Sequence, residues 1–386
     1  MIEKLRNMDR RLLGMITFIL VVIFILVIAM VLLSLMSGGK KSYNNIEKTM
    51  VKAAKKYYED NPSLLPKESG NDTEVDAATL SSGGYMKDLS EYTKGSSCSG
   101  KVIVGKASDN YDYTAYLNCG DKYKTALLYP MLIENTVTEG EGLYKVSDII
   151  EEPTTLGLDD EGYDLSKNPL LYGYIYRGQS VNNYVKIGNE LFRIVRIDGN
   201  NDLVIIQDNR MKTAYFDNRY NSETGKNSGI NQYYLSRIYD YGKEYYNTKI
   251  KDDSIIKTKG VTKNICVGER SVDDTVNDGS IECSKVLKNS YYGLLSTYDV
   301  VNASISTECI GTGDPNCGNY NYLVDSTNFW LSTPSSEDTN SVFMANASVG
   351  PVEARSTGGY RLVFYLSNRV RYDGGTGTRK DPYIIK

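Results

Sequence analysis

The sequence predicts an α+β chain with one N-terminal transmembrane helix, a small helix-plus-sheet domain and a larger mixed α+β domain. Three observations lead there. Leu12 to Met36 is an apolar run broken only by Gly14, Thr17 and Ser34, and a helix of that length covers roughly 30 Å of hydrocarbon. Ile46, Met50, Ala53 or Ala54, and Tyr57 then recur at helical spacing, ahead of an alternating stretch at Tyr111, Tyr113, Ala115 and Leu117. From Tyr172 onward short strand-like segments recur, with a helical pattern from Ile230 to Tyr246 among them.

Composition limits the function classes. The chain has 386 residues and a formal charge of −4, and no basic stripe appears beyond its first segment, so nucleic acid is not an expected partner. Histidine is absent. That removes His-based triads, a His general base and His-bearing zinc sites. Tyrosine occurs 33 times against a single Trp, so hydroxyl-bearing rings must do much of the packing and much of any surface recognition.

The organisation runs with the chain. Residues 1–11 form a basic segment (Lys4, Arg6, Arg10, Arg11), expected in the cytoplasm, and 12–36 is the expected span. A cleaved signal peptide is the rival, but the run is long for one and no small-x-small site ends it. Residues 37–135 make the first extracytoplasmic domain. It opens on a helix from Tyr43 to Glu59, stopped at Asn61-Pro62, with Lys48, Lys52, Lys55 and Lys56 on its solvated face. Next come a loop at Val75–Leu80, a turn at Gly83-Gly84, and a hairpin of Lys101–Val104 with Tyr111–Leu117. Residues 136–169 read as an acidic linker, and 170–386 as the second domain. The resulting placement is a single-pass cell-membrane protein, N-terminus cytoplasmic and C-terminal ectodomain extracellular.

All six cysteines lie beyond the apolar run. Many pairings are open to them; the local set is expected, Cys98–Cys119 across the ends of the hairpin, Cys266–Cys283 and Cys309–Cys317. Their spacings are not of the Cys-x2-Cys kind, so neither metal nor cofactor is expected.

In the second domain, Tyr174–Tyr176 and Tyr184–Ile187 read as strands. Leu191–Ile197 and Leu203–Ile206 form a hairpin through Asp198-Gly199-Asn200-Asn201-Asp202. Ile230–Tyr246 reads as a helix packed on the sheet. Ser296 caps a shorter helix with Asp299 three residues on. Phe329–Pro334, Val342–Met344, Val349–Glu353 and Tyr360–Leu366 read as strands. Gly374-Gly375-Thr376-Gly377-Thr378 lacks the downstream Lys and helix of a phosphate loop, and reads as a turn feeding a short edge strand, Tyr383–Ile385. Trp330 has two readings, a core anchor or a ring for ligand stacking.

Two resemblances are carried by particular residues. Ala53-Ala54, Tyr57-Tyr58, Leu64-Leu65-Pro66, Gly84-Tyr85-Met86-Lys87, Ser97-Cys98-Ser99-Gly100 and Asn118-Cys119-Gly120 resemble the membrane-anchored type IV pilin-like proteins of low-GC Gram-positive bacteria. The prepilin Gly-Phe-Thr-Leu-x-Glu signature is missing; Arg11-Leu12-Leu13-Gly14-Met15 stands there. Arg177-Gly178, Asn182–Val185, Leu191–Val195, Tyr245-Tyr246-Asn247, Gly293–Ser296, Phe329–Pro334, Tyr360–Leu366, Gly374–Thr378 and Asp381–Ile385 resemble an uncharacterised bacterial domain family with a C-type-lectin-like fold, the fold also used by formylglycine-generating and sulfatase-modifying proteins. That resemblance implies a C-type-lectin-like α+β domain over 170–386. Phe192 and Ser332 depart from the family's Trp and Arg.

The expected function is a membrane-anchored cell-surface protein with a non-enzymatic binding or adhesion module. The alternative is a structural envelope or minor pilin-like subunit, and an enzyme comes a distant third. Formylglycine-type chemistry needs a free thiol, and calcium-dependent lectins need a Glu-Pro-Asn or Gln-Pro-Asp loop, of which Asp314-Pro315-Asn316 is the nearest approach. No catalytic residue is nominated. The expected partners are the membrane, through the N-terminal helix, a surface glycan or protein ligand, and an envelope protein. The nominated ligand-binding residues are Trp330, in the strand Phe329–Pro334, and Asn319, Tyr320, Asn321 and Tyr322, at the end of the long polar loop Glu308–Asn321; Asp217–Gly229 is a second such loop.

Overall fold

The computed structural model describes residues 10–67, 71–93, 97–107, 110–146, 173–324 and 328–386. The basic segment 1–11 lies almost wholly outside them, as does most of the acidic linker. The architecture is α+β, and the chain divides into two compact units.

The first unit gathers 1–64, 74–103 and 113–125. One helix, Arg10–Asp60, runs through the apolar stretch and the periodic segment alike. The transmembrane helix expected at Leu12–Met36 is corrected here. Among the described residues no helix is long and apolar enough to cross a membrane. Phe18 to Ile28 of this helix is exposed throughout. Further along, Ile46, Met50, Ala53, Ala54 and Tyr58 are buried, which is the expected stripe with Tyr58 taking the place of Tyr57. The lysines Lys48, Lys52, Lys55 and Lys56 stay exposed. Val75–Leu80 is not a loop: a strand, Asp72–Asp76, runs into a helix, Ala77–Ser82, which Asp76 caps by accepting from the Thr79 N–H at 2.6 Å. Strands Ser99–Ala107 and Asn110–Asn118 complete a three-stranded sheet.

The second unit holds 65–73, 104–112 and 126–386. Its main sheet runs, edge to edge, through Tyr292–Gly293, Val363–Leu366, Leu203–Gln207, Glu190–Ile197, Tyr184–Ile187, Tyr383–Ile385 and Tyr372–Gly374. Gly173–Arg177 pairs with the far end of Glu190–Ile197, and Gly142–Val146 pairs with Gly173–Arg177. So the stretch read as linker supplies a strand before it leaves the described residues at 147. Tyr383–Ile385 is not an edge strand; it lies between two neighbours and pairs parallel with Tyr184–Ile187. A three-stranded sheet of Phe329–Pro334, Ser341–Ala345 and Val349–Glu353 carries the aromatic core residues Phe329, Trp330 and Phe343. The Ser296–Asp299 capping box is present in full.

All six cysteines are paired, Cys98 with Cys119, Cys266 with Cys283 and Cys309 with Cys317. Such bonds persist in an extracellular or otherwise oxidising compartment.

The interior of the second unit carries charge. Lys263 reaches Asp198 at 2.8 Å and Asp202 at 2.5 Å, and all three side chains are buried. Burial works against the Lys263 ammonium, but the two carboxylates outweigh it and raise its pKa. One cation cannot neutralise two anions. Burial, with Asp202 adding to it against the pull of Lys263, pushes the Asp198 carboxyl up to about 6. A carboxyl raised on folding lends stability below its unfolded pKa and loses it as pH rises through the folded one. Stability is therefore expected to fall between about pH 4 and pH 6, and the urea midpoint of Asp198→Asn should lack that slope.

Candidate functional site

The nominated residues do not assemble into a site. Trp330 has no exposed surface; its Nε1 donates to the Ala214 carbonyl at 3.1 Å and its ring meets Phe216 edge-on at 5.5 Å. The stacking role is corrected: a ring walled in on all sides cannot receive a ligand. Asn321 is buried and its Nδ2 donates to the carbonyls of Val300 and Cys317. Tyr322 is buried too, and with Tyr184 it sandwiches the Arg193 guanidinium at 4.4 and 4.3 Å. Only Asn319 and Tyr320 reach solvent, and Asn319 is tied to Ser304 through its carbonyl. The loop Glu308–Asn321 is a clipped turn. Asp314 accepts from the N–H groups of Ile310 and Asn316 at 2.9 Å each, and these donors hold its carboxyl below the usual range. The carboxylate is thus engaged by backbone, not set out for calcium. Among the described residues no group of three or more His, Cys, Asp or Glu is placed to hold a metal ion.

A different place draws recognition chemistry together. A cleft of about 410 Å³ opens between the helix that begins at Arg237 and the segment 288–292. Ser236 sets the start of that helix, accepting from the Tyr239 N–H at 3.2 Å, so the helix read from Ile230 begins a full two turns later. It also runs on: Arg237–Tyr245 passes into a π-helical turn, Tyr246–Ile250. One extra residue in the turn rotates the side chains beyond it about the helix axis, and such turns favour functional positions. Here the turn places the Tyr246 ring against Tyr291 at 5.4 Å and 8° and against Tyr292 at 5.8 Å. Tyr239 lies 5.6 Å from Tyr292 on the other side. Burial, with the Tyr239 hydroxyl beside it, raises the Tyr292 pKa, so the Tyr292 hydroxyl stays protonated and able to donate. The close approach rests on Gly242, where an added Cβ would meet the Tyr292 ring at 2.9 Å.

The polar lining is one-sided. Lys243 on the helix, Lys251 just past its end and Lys288 on the strand border the cleft, and no carboxylate lines it. Among the described residues neither Lys243 nor Lys251 has an ion-pair partner, and the Asn247 and Asn289 amides make no hydrogen bond. Asn289 holds φ 53°, a left-handed conformation that Asn tolerates better than most residues. A second cleft of about 500 Å³, lined by Tyr220, Asn231, Glu223, Glu269, Glu337 and Asp338, carries the opposite charge.

Comparison of the chain with family models, with characterised proteins and with solved structures finds no match, so the reading rests on the geometry. Sequence reasoning missed the tyrosine–lysine cleft because its two walls lie some forty residues apart. One signal was there: Tyr239, Lys243, Asn247 and Lys251 recur every four residues, a stripe along one helix face.

Proposed function

We propose that the second unit is a non-enzymatic binding module of a cell-surface protein, with a C-type-lectin-like core and the tyrosine–lysine cleft as its ligand site. The observation that carries this reading is that Lys243, Lys251, Asn247 and Asn289 line the cleft with side chains that have no internal partner among the described residues. Buried polar groups elsewhere are heavily committed. Arg270, for instance, spends its donors on Glu282, Thr312, Asn277 and the Asp274 carbonyl. Open polar groups beside a partly exposed ring, here Tyr291, suit a recognition surface. The pairing of every cysteine supports a role without thiol chemistry.

The test is a binding screen of the full, oxidised chain against bacterial envelope polysaccharides and host matrix proteins, with Tyr291→Ala in parallel. Tyr291 is half-buried, so its loss should leave the fold intact. A saturable hit that Tyr291→Ala weakens by about ten-fold or more is expected, as for loss of a stacking ring. Absence of any saturable hit, or equal binding by the variant, would overturn the assignment.

A further inference from the structure

We infer that the ligand of this cleft is an acidic polysaccharide or polyol phosphate, a chain rich in hydroxyls with anionic groups repeated along it. The inference rests on the binding reading above and adds the class of ligand.

Charge comes first. The protein as a whole is net negative, with 48 acidic side chains to 44 basic, yet this cleft is bordered by three lysines and by no carboxylate. Such a local inversion of sign selects anions against a background that repels them. Spacing comes next. Lys243 lies on the helix, Lys251 just past its π-helical end and Lys288 on the facing wall. A polymer with regularly placed anions meets three such separate charges in turn. Between the charges lie the half-buried ring of Tyr291, backed by the buried ring of Tyr246, and the open amides of Asn247 and Asn289. Tyrosine faces receive the apolar face of a sugar ring, and amides both donate to and accept from its hydroxyls. An acidic peptide would satisfy the lysines and leave the amides and ring faces with less to do.

The test uses the full oxidised chain and four polymers: polygalacturonate, poly(glycerol phosphate), dextran and poly-glutamate. Saturable binding of polygalacturonate or poly(glycerol phosphate) is expected, the tighter of the two identifying the anion as carboxylate or phosphate. It should exceed binding of dextran and poly-glutamate by about ten-fold and weaken as salt rises and the Debye length shortens. The double variant Lys243→Glu/Lys251→Glu should lose about ten-fold or more in affinity by charge reversal with its thermal midpoint unchanged, both side chains being exposed. Three results would overturn the inference: unchanged affinity in the double variant, dextran binding as tightly as the acidic polymers, or poly-glutamate doing so. Failure of all four polymers while the screen still yields a Tyr291-dependent hit would remove the ligand class alone. Failure of both experiments would remove the binding reading with it.

Discussion

Replacing Lys263 by methionine is expected to destabilise the second unit by about 3–5 kcal/mol at neutral pH, the usual cost of leaving buried charge without its partner. The geometry explains the size. Asp198 and Asp202 converge on one ammonium at 2.8 and 2.5 Å in an interior with almost no solvent contact. Methionine matches the volume but leaves two carboxylates facing each other. The same carboxylates also hold backbone: Asp198 accepts from the Asn200 and Asp202 N–H groups, and Asp202 accepts from Asn368. They cannot swing away to water without undoing the hairpin loop and its tie to the C-terminal segment. Urea unfolding at pH 7 and pH 5 checks this. The deficit should shrink at pH 5, where the raised pKa of Asp198 lets it take a proton. A loss below about 1 kcal/mol at pH 7 would show that water or a rearrangement compensates the pair.

Trp330→Ala is expected to cost a similar amount, about 3–5 kcal/mol, through lost burial and the cavity left behind. It also leaves the Ala214 carbonyl without its indole donor. Trp330→Phe keeps a ring against Phe216 but not the N–H, and should cost less. Because the indole is walled in, a folded Trp330→Phe protein should bind its ligand as the wild type does. As the only tryptophan, Trp330 is also a clean reporter: its emission should be blue-shifted in the native protein and move to the red on unfolding. Binding lost in a stable Trp330→Phe variant would return the ring to the ligand site.

These residues show what the sequence could and could not convey. The turn Asp198–Asp202 was legible because its Gly and Asn cluster sits between two alternating runs, a local signal. The Ser296 cap was legible for the same reason. What the turn's two aspartates do was not, since their partner, Lys263, arrives on a strand pairing with Val286–Ser290, and neither of those strands alternates cleanly. Asn321 and Tyr322 looked like loop recognition residues because composition marks a loop as polar without saying which way each side chain turns. The structure turns both inward, onto backbone carbonyls and an arginine. The cleft depends on a π-turn and a distant strand coming face to face, and no short window of sequence contains both.

The seat of Tyr383–Ile385 inside the main sheet has a kinetic meaning. Its parallel neighbour is Tyr184–Ile187, nearly two hundred residues earlier in the chain. Until residues 383–385 have been synthesised and delivered, Tyr184–Ile187 is paired along one edge only, with Glu190–Ile197, and Tyr372–Gly374 waits for its strand partner. Contacts of such high sequence separation are slow to form, and an unpaired strand edge invites the wrong neighbour while it waits. The second unit is therefore one whose closure comes last, after translation of the segment is finished, and whose newly made chains depend on being kept apart until then.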